Sequence, residues 1–280
     1  MNFLVQWGRN PWGEDILTHA QWNLVYAALL FGVCFMIAHT LYVAFWPKPK
    51  GPETAPVNAA AAARVPERVK RHSLAARMFH WIMAASMLTL LVTSFGPILG
   101  WKFDWIQIHW IAGIVLTISI IYHIIHASFW LDFWSIWLNK EDVMEATSRF
   151  KRAIGGQAAL PRKAAKYPYD NKMYHTAIVL SALAVVPTGL FMMKRIRTPL
   201  FDRNPYLFSD ATWGLMYVLH GLSGVALVGL TIAHIYFAIR PEKLWITKGM
   251  VFGDISRQEF LERIPRGFLA NGSRLSKSFG

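Results

Sequence analysis

The chain of 280 residues is apolar and aromatic, with 54% hydrophobic residues, 13 tryptophans and 18 phenylalanines. Charged residues make up only 16% of it, yet Lys and Arg outnumber Asp and Glu by 29 to 16. This composition excludes an ordinary soluble enzyme and is typical of a membrane protein whose few charges flank apolar stretches. We therefore expect the basic segments to contact membrane lipid and not nucleic acid.

The single cysteine limits which metal chemistry the chain can support. Cys34 lies inside an apolar run, so this chain alone can build neither a disulfide framework nor an iron–sulfur or Cys-ligated zinc site. Any metal must be held by histidine or oxygen ligands.

Five runs contain no Asp, Glu, Lys or Arg and are long enough to cross a bilayer, which takes roughly 20 residues. They cover residues 22–46, 78–101, 105–131, 173–193 and 211–239. The first run is too long for a signal peptide and is followed by no small-residue cleavage site. The pattern predicts an all-α integral membrane protein with five transmembrane helices.

The basic residues predict the direction of these spans. Alternate segments between the spans carry 23 of the 29 Lys and Arg residues, and such segments face the cytoplasm. The N-terminal segment 1–21 is therefore expected outside, and the tail 240–280 in the cytoplasm. The Pro- and Ala-rich segment 47–67 is predicted to be a cytoplasmic linker between the first span (22–46) and a four-helix domain at 68–239.

Histidines within the spans are the strongest chemical signal, because a buried imidazole in a membrane needs a partner or a metal. Eight of the ten histidines lie in or at the spans. His220 and His234 are 14 residues apart, which places them about 40° apart around a helix and about 21 Å apart along it. One helix can therefore supply one axial ligand to each of two haems, one near each membrane surface.

The depth of each histidine, counted from the charged end of its span, indicates which histidines can pair as ligands of one haem. His109 and His220 are the only span histidines near the outer ends, so they form the only possible outer pair. For the inner pair, His234 can be matched with His80 or with His123, which ends a second 14-residue spacing on the third span.

The residues around His80 narrowly favour it over His123 as the partner of His234. Arg77 precedes it by three residues and Arg71 is close by, so that both guanidinium groups are expected to contact haem propionates at the membrane surface.

Small residues accompany the proposed ligands. Gly113 follows His109 by four residues, and Gly221 and Gly224 follow His220. Two interpretations stay open: these residues make room for a porphyrin, or they allow helices to pack closely.

At this level of detail the chain resembles a known family. The stretches that carry the resemblance are RMFHW at His80, IHWIAG at His109, KYPYDNKMYH followed by PTG, LHGLSG with AHIYFAIRPEKLW, and KGMVFGDISRQEFLER. Over residues 68–266 it is similar to the di-haem cytochrome b (gamma) subunit of membrane-bound formate dehydrogenases. The wider group includes the b-type cytochromes of nickel–iron hydrogenases and thiosulfate reductase.

The resemblance implies a four-helix di-haem bundle with one extra N-terminal span, located in the bacterial inner membrane. It also implies two haem b groups, ligated by His80 with His234 and by His109 with His220. Matching the family's motif therefore decides between His80 and His123.

The quinone contacts are where the chain departs from that family. The family's asparagine before the fourth span aligns with Pro168, which leaves Asn171, Asp170 or Lys166 as candidate quinone contacts. Asn171 and Asp170 are equally suited to cap the helix. His123, His126 and His175 are left for a proton path, for propionate contacts or for buried hydrogen bonds.

The function implied is that of a non-catalytic electron-transfer subunit, formate dehydrogenase-like, which also carries a quinone reduction site. Electrons would come from a periplasmic dehydrogenase or electron-transfer partner, an iron–sulfur or haem protein, and pass through the two haems to membrane quinone. Two alternatives stay open: the reverse flow, from quinol to a periplasmic reductase, and a haem-free transporter or assembly protein.

Overall fold

A computed structural model of the chain describes residues 3–45, 63, 65–130, 133–156 and 169–263. Most of the predicted linker, Lys166 and residues 264–280 of the predicted tail lie outside the described residues.

The described structure is mostly helical, and five helices are long and apolar enough to cross a membrane. The long helices are α1 (Leu24–Phe45), α2 (Leu74–Phe95), α3 (Trp105–Trp130), α5 (Tyr169–Met192) and α6 (Asp210–Ile239). The shorter elements are β1 (Val5–Arg9), β2 (Asp15–Ala20), β3 (Arg68–Lys70), α4 (Lys140–Ala153), α7 (Leu244–Phe252), β4 (Asp254–Ser256) and α8 (Arg257–Arg263). The prediction of an all-α membrane protein with five spans is confirmed.

The second span shows why charged boundaries misplace helix ends. Helix α2 begins at Leu74 and includes Arg77, whereas the charge rule placed its start after that arginine. The helix starts here because the Ser73 hydroxyl accepts a hydrogen bond from the Ala76 amide at 3.2 Å, as an N-cap residue does. It stops at Phe95 because a tight turn follows, in which Gly100 has a φ of +91°.

The chain divides into two compact units, each assembled from separate stretches of sequence. The first unit comprises Met1–Pro47, His80–Ile121 and Ile178–Tyr236, and the second comprises Lys48–Phe79, Tyr122–Ala177 and Phe237–Gly280. Helices α2, α3, α5 and α6 contribute residues to both.

In the first unit, the segment before the first span is an antiparallel hairpin of β1 and β2. The side chain of Asn10 shapes its turn by accepting hydrogen bonds from the Trp12 and Glu14 amides at 3.1 and 2.8 Å. The hairpin packs closely on α6, since a Cβ added to Gly221 would lie 2.9 Å from the Cβ of Ala20.

Helix α1 also packs on α6 in this unit. A Cβ at Gly32 would lie 2.9 Å from the Cδ1 of Ile232. Near the end of α1, His39 Nδ1 and Thr40 Oγ1 lie 2.8 and 2.9 Å from the hydroxyl of Tyr236. The extra span is therefore fixed to the last helix by both small-residue packing and hydrogen bonds.

In the second unit, the segment after the last span is folded. Strand β4 pairs with β3 in an antiparallel ladder, and the buried side chains of Val65, Ile255 and Phe260 form a small core. Helix α4 begins with a capping box between Asn139 and Asp142. The sequence had predicted this C-terminal stretch as part of a cytoplasmic tail, without folded elements.

Candidate functional site

The structure brings the four predicted ligand histidines together as two pairs. The rings of His109 on α3 and His220 on α6 have centroids 6.2 Å apart and an interplanar angle of 67°. The rings of His80 on α2 and His234 on α6 have centroids 6.3 Å apart and an interplanar angle of 50°. All four residues belong to the first unit.

These separations fit two imidazoles on opposite sides of one iron. A metal–imidazole nitrogen bond is about 2 Å long, and the nitrogen of a five-membered ring lies about 1.1 Å from the ring centroid. Two such ligands in line therefore have centroids about 6.2 Å apart. Each pair therefore has the ring separation that two imidazole ligands of one metal ion would need.

Within the part of the chain that the structure describes, no group of three or more His, Cys, Asp or Glu side chains could hold a metal ion. Two imidazoles alone leave most coordination positions of an iron to be filled. A macrocycle that supplies its own nitrogen ligands, as haem does, matches a pair of axial histidines.

A hydrogen bond orients the ring of His109. Its Nδ1 lies 2.8 Å from the Oγ1 of Thr93, a residue that is almost completely buried. The Thr93 hydroxyl donates to the Thr89 carbonyl at 2.8 Å, so it accepts from the imidazole N–H. With the proton on Nδ1, the Nε2 atom keeps its lone pair for a metal.

The ring of His220 is oriented in the same way by α5. Its Nδ1 lies 3.0 Å from the Val185 carbonyl oxygen and 3.1 Å from the Oγ1 of Thr188. Because a carbonyl oxygen can only accept, the imidazole proton again sits on Nδ1. Gly189 makes room for the ring, since a Cβ there would lie 3.0 Å from the His220 Cε1.

The predicted small residues do not all serve the same purpose. Gly221 packs against Ala20 of the hairpin, which supports the packing interpretation for this glycine. A Cβ at Gly224 would lie 3.6 Å from Phe95, and one at Gly113 would lie 3.9 Å from Leu90. These two positions are in ordinary contact and could accept a methyl group.

The two arginines expected to contact propionates interact with the C-terminal segment of the second unit. The guanidinium of Arg71 lies 4.3 Å from the ring centroid of Trp245. Arg77 donates to the Val251 carbonyl at 2.8 Å, and its buried Nε has no hydrogen-bond partner among the described residues. A propionate contact by either residue stays a prediction.

Two of the three predicted quinone contacts can be placed. Asp170 forms an ion pair with Arg149 at 2.9 Å, and Asn171 is exposed. Because α5 begins at Tyr169, both residues lie in its first turn and not at the capping position before it. Lys166 is outside the described residues, so the quinone contacts stay predictions.

The histidines left over lie in the second unit. His123 contacts Phe79, with ring centroids 4.9 Å apart, and His126 stacks on Tyr122. The ring of His175 meets that of Trp137 edge-on at 5.5 Å.

The residues that orient His109 and His220 were not predicted from the sequence. Thr93, Thr188 and Gly189 lie one helix away from the imidazoles that they contact. The only signal in the sequence was a hydroxyl or a glycine inside an apolar span, which many membrane helices share. Tyr236, which anchors the extra span, was missed for the same reason.

A comparison with protein families is consistent with this arrangement. The family model described as prokaryotic cytochrome b561 matches residues 71–253, whereas no curated protein matches significantly. The two ends of the matched region meet, because the Arg71 amide donates to the Gly253 carbonyl at 2.8 Å. This region contains all four paired histidines. The chain therefore belongs to the prokaryotic cytochrome b561 family, whose members are membrane b-type cytochromes that transfer electrons.

Proposed function

We propose that His109 with His220 and His80 with His234 are the axial ligands of two haem b groups. The observation that carries the proposal is the separation of the two imidazole pairs, 6.2 and 6.3 Å between centroids. Each haem, when bound, would supply reversible one-electron transfer.

The protein's own contribution is to hold and orient the ligands. Thr93 and the Val185 carbonyl hold the outer imidazoles with the proton on Nδ1, which fixes each ring and raises the basicity of Nε2. Helix α6 carries one ligand of each pair, and their 14-residue spacing corresponds to about 21 Å along a continuous helix. The two sites are therefore separated by a rigid element.

We propose further that the chain is the membrane subunit of a respiratory oxidoreductase complex. Electrons would enter from a periplasmic dehydrogenase or electron-transfer subunit, at the outer pair, and leave to membrane quinone near the inner pair. The proposal rests on the family and on the basic segments that favour a cytoplasmic C-terminus. The Pro- and Ala-rich segment 47–67 would then be a cytoplasmic linker, and residues 68–239 the cytochrome domain.

The first experiment is a count of haem b in the purified full chain by the pyridine haemochromogen assay. We expect about two haems per chain in the wild type and about one in His109→Ala and in His80→Ala. His123→Ala is the matched control, a span histidine outside both pairs, and should retain two. A well-folded wild type without haem would contradict the proposal and favour a transporter or assembly role.

The direction of flow needs a second measurement. Midpoint potentials of both haems below that of the quinone pool would support quinone reduction. Potentials above it would support the reverse flow, from quinol to a periplasmic reductase.

A further inference from the structure

The second unit contains polar side chains that the haem sites do not use. His123 and His126 lie on α3, His175 lies on α5, and Trp137 follows the short turn after α3. Nδ1 of each of these histidines and Nε1 of the tryptophan are buried without a hydrogen-bond partner among the described residues.

These side chains form one cluster. His123 lies near both His126, three residues further along α3, and His175 of α5. Phe79 bridges the two imidazoles on α3, with centroids 4.9 Å from His123 and 6.3 Å from His126. On the other side, Trp137 is in ring contact with His175 at 5.5 Å. The four polar nitrogens therefore lie in one region of the unit.

Buried polar atoms are almost always hydrogen-bonded, and an exception calls for water or a ligand as the partner. Four such nitrogens occur in this cluster. Three of them belong to imidazoles, which exchange protons near neutral pH more readily than any other side chain. The cluster therefore has the composition of a proton-transfer site.

The first turn of α5, which precedes His175 in the chain, makes two ion pairs with α4. Asp170 is largely exposed and pairs with Arg149. One helical turn before His175, Lys172 forms a buried ion pair with Asp142 at 2.8 Å. Ionisable groups therefore lie on the same helix as His175, close to it in the chain.

We propose that His123, His126 and His175 form a proton relay that serves quinone reduction by this cytochrome. The proposal rests on the quinone reaction proposed above and adds the residues that supply its protons. Each quinone that becomes a quinol takes two electrons from the reduced cytochrome and two protons from the relay. At each quinone oxygen an O–H bond forms as an imidazolium N–H bond breaks, and the ring nitrogen then takes a proton from a hydronium ion of the aqueous phase, which becomes water.

The test replaces each relay histidine by glutamine, which can donate a hydrogen bond but cannot carry a proton at this pH. The full chain with its haems is reduced stoichiometrically and mixed with short-chain ubiquinone or menaquinone analogues, and haem oxidation is followed by stopped-flow absorbance. At saturating quinone we expect the rate to fall at least about tenfold in each variant, as for loss of a general acid. The half-saturating quinone concentration should not change, and the solvent deuterium isotope effect should increase.

His39→Gln is the matched control, a histidine on the first span that hydrogen-bonds Tyr236 and lies outside the relay. It should react at the wild-type rate. Each relay position is also tested as asparagine, so that a folding defect of one substitution does not decide the result.

Three results would overturn the relay. The variants could react within about twofold of the wild type, they could change only the half-saturating concentration, or they could lose haem. The second result would make the cluster a quinone-binding site, and the third would make it a haem site. Failure of both quinones to oxidise the wild-type haems would instead remove the proposed quinone reaction itself, and the relay with it.

Discussion

Replacing Thr93 by valine tests the hydrogen bond that orients His109, one of the proposed haem ligands. Valine has nearly the same shape, so the main loss is the hydrogen bond of 2.8 Å between the Thr93 hydroxyl and the His109 imidazole. The Ser94 hydroxyl is 3.5 Å from the same nitrogen, which is too far to replace the bond well. A less basic imidazole stabilises oxidised iron less, so the outer midpoint potential should rise.

An upper limit can be given for this rise of the midpoint potential. A hydrogen bond contributes about 1 kcal/mol net, and 1.4 kcal/mol corresponds to about 59 mV for one electron. If the whole bond energy were felt only by the oxidised form, the potential would rise by about 40 mV. Affinity for the outer haem should fall about 10- to 100-fold, as for other residues behind a metal ligand.

Thr188→Val is the matched control for this prediction. It removes a similar contact to His220 at 3.1 Å, but the Val185 carbonyl remains as acceptor at 3.0 Å. Potentiometric titration of both haems by visible absorbance should therefore show a shift less than half as large as that of Thr93→Val. Equal shifts in the two variants, or a shift of the inner haem alone, would refute the assignment of these hydrogen bonds.

Three further predictions concern packing and charge. Gly189→Leu should empty the outer haem site and leave the inner one filled, because its Cβ would lie 3.0 Å from the imidazole it faces; retention of two haems per chain in the haemochromogen assay would contradict this. Asp142→Asn should destabilise the protein by about 3–5 kcal/mol, because it leaves the buried ammonium group of Lys172 without its carboxylate. The control Asp15→Asn, in an exposed ion pair, should cost less than about 1 kcal/mol. Thermal unfolding in detergent compares the two variants, and similar losses of stability would argue against the buried pair. Tyr236→Phe removes two hydrogen bonds to the first span and should cost about 1 kcal/mol in total, with the half-exposed Tyr26→Phe as the unaffected control in the same assay.

Local sequence properties were sufficient to predict the five transmembrane helices. An apolar run long enough for the bilayer must be helical, since no other single segment satisfies its backbone hydrogen bonds in lipid. The errors at the ends arose because charges mark the membrane boundary and not the helix terminus. Ser73 caps α2, which begins at Leu74, four residues before Met78, and an arginine side chain can extend to the interface from within a helix.

The spacing of His220 and His234 along one helix was also a local property, because helical geometry converts 14 residues into a direction and a distance. The histidines that pair with these two residues were harder to predict from the sequence. Depth left both His80 and His123 open for the inner site, and only the packing of α2 beside α6 brings His80 to 6.3 Å from His234.

The sequence by itself determined the helical membrane class, the number of spans and the 14-residue spacing of His220 and His234, because these follow from hydropathy and helical period. Tertiary structure decided which helices meet, and thus that Thr93 orients His109 and that Gly189 faces His220. It also decided that the first span is fastened to Tyr236 and that His123 joins a cluster with His126 and His175. Contacts between residues far apart in the chain depend on how whole helices pack, and no local pattern encodes that packing.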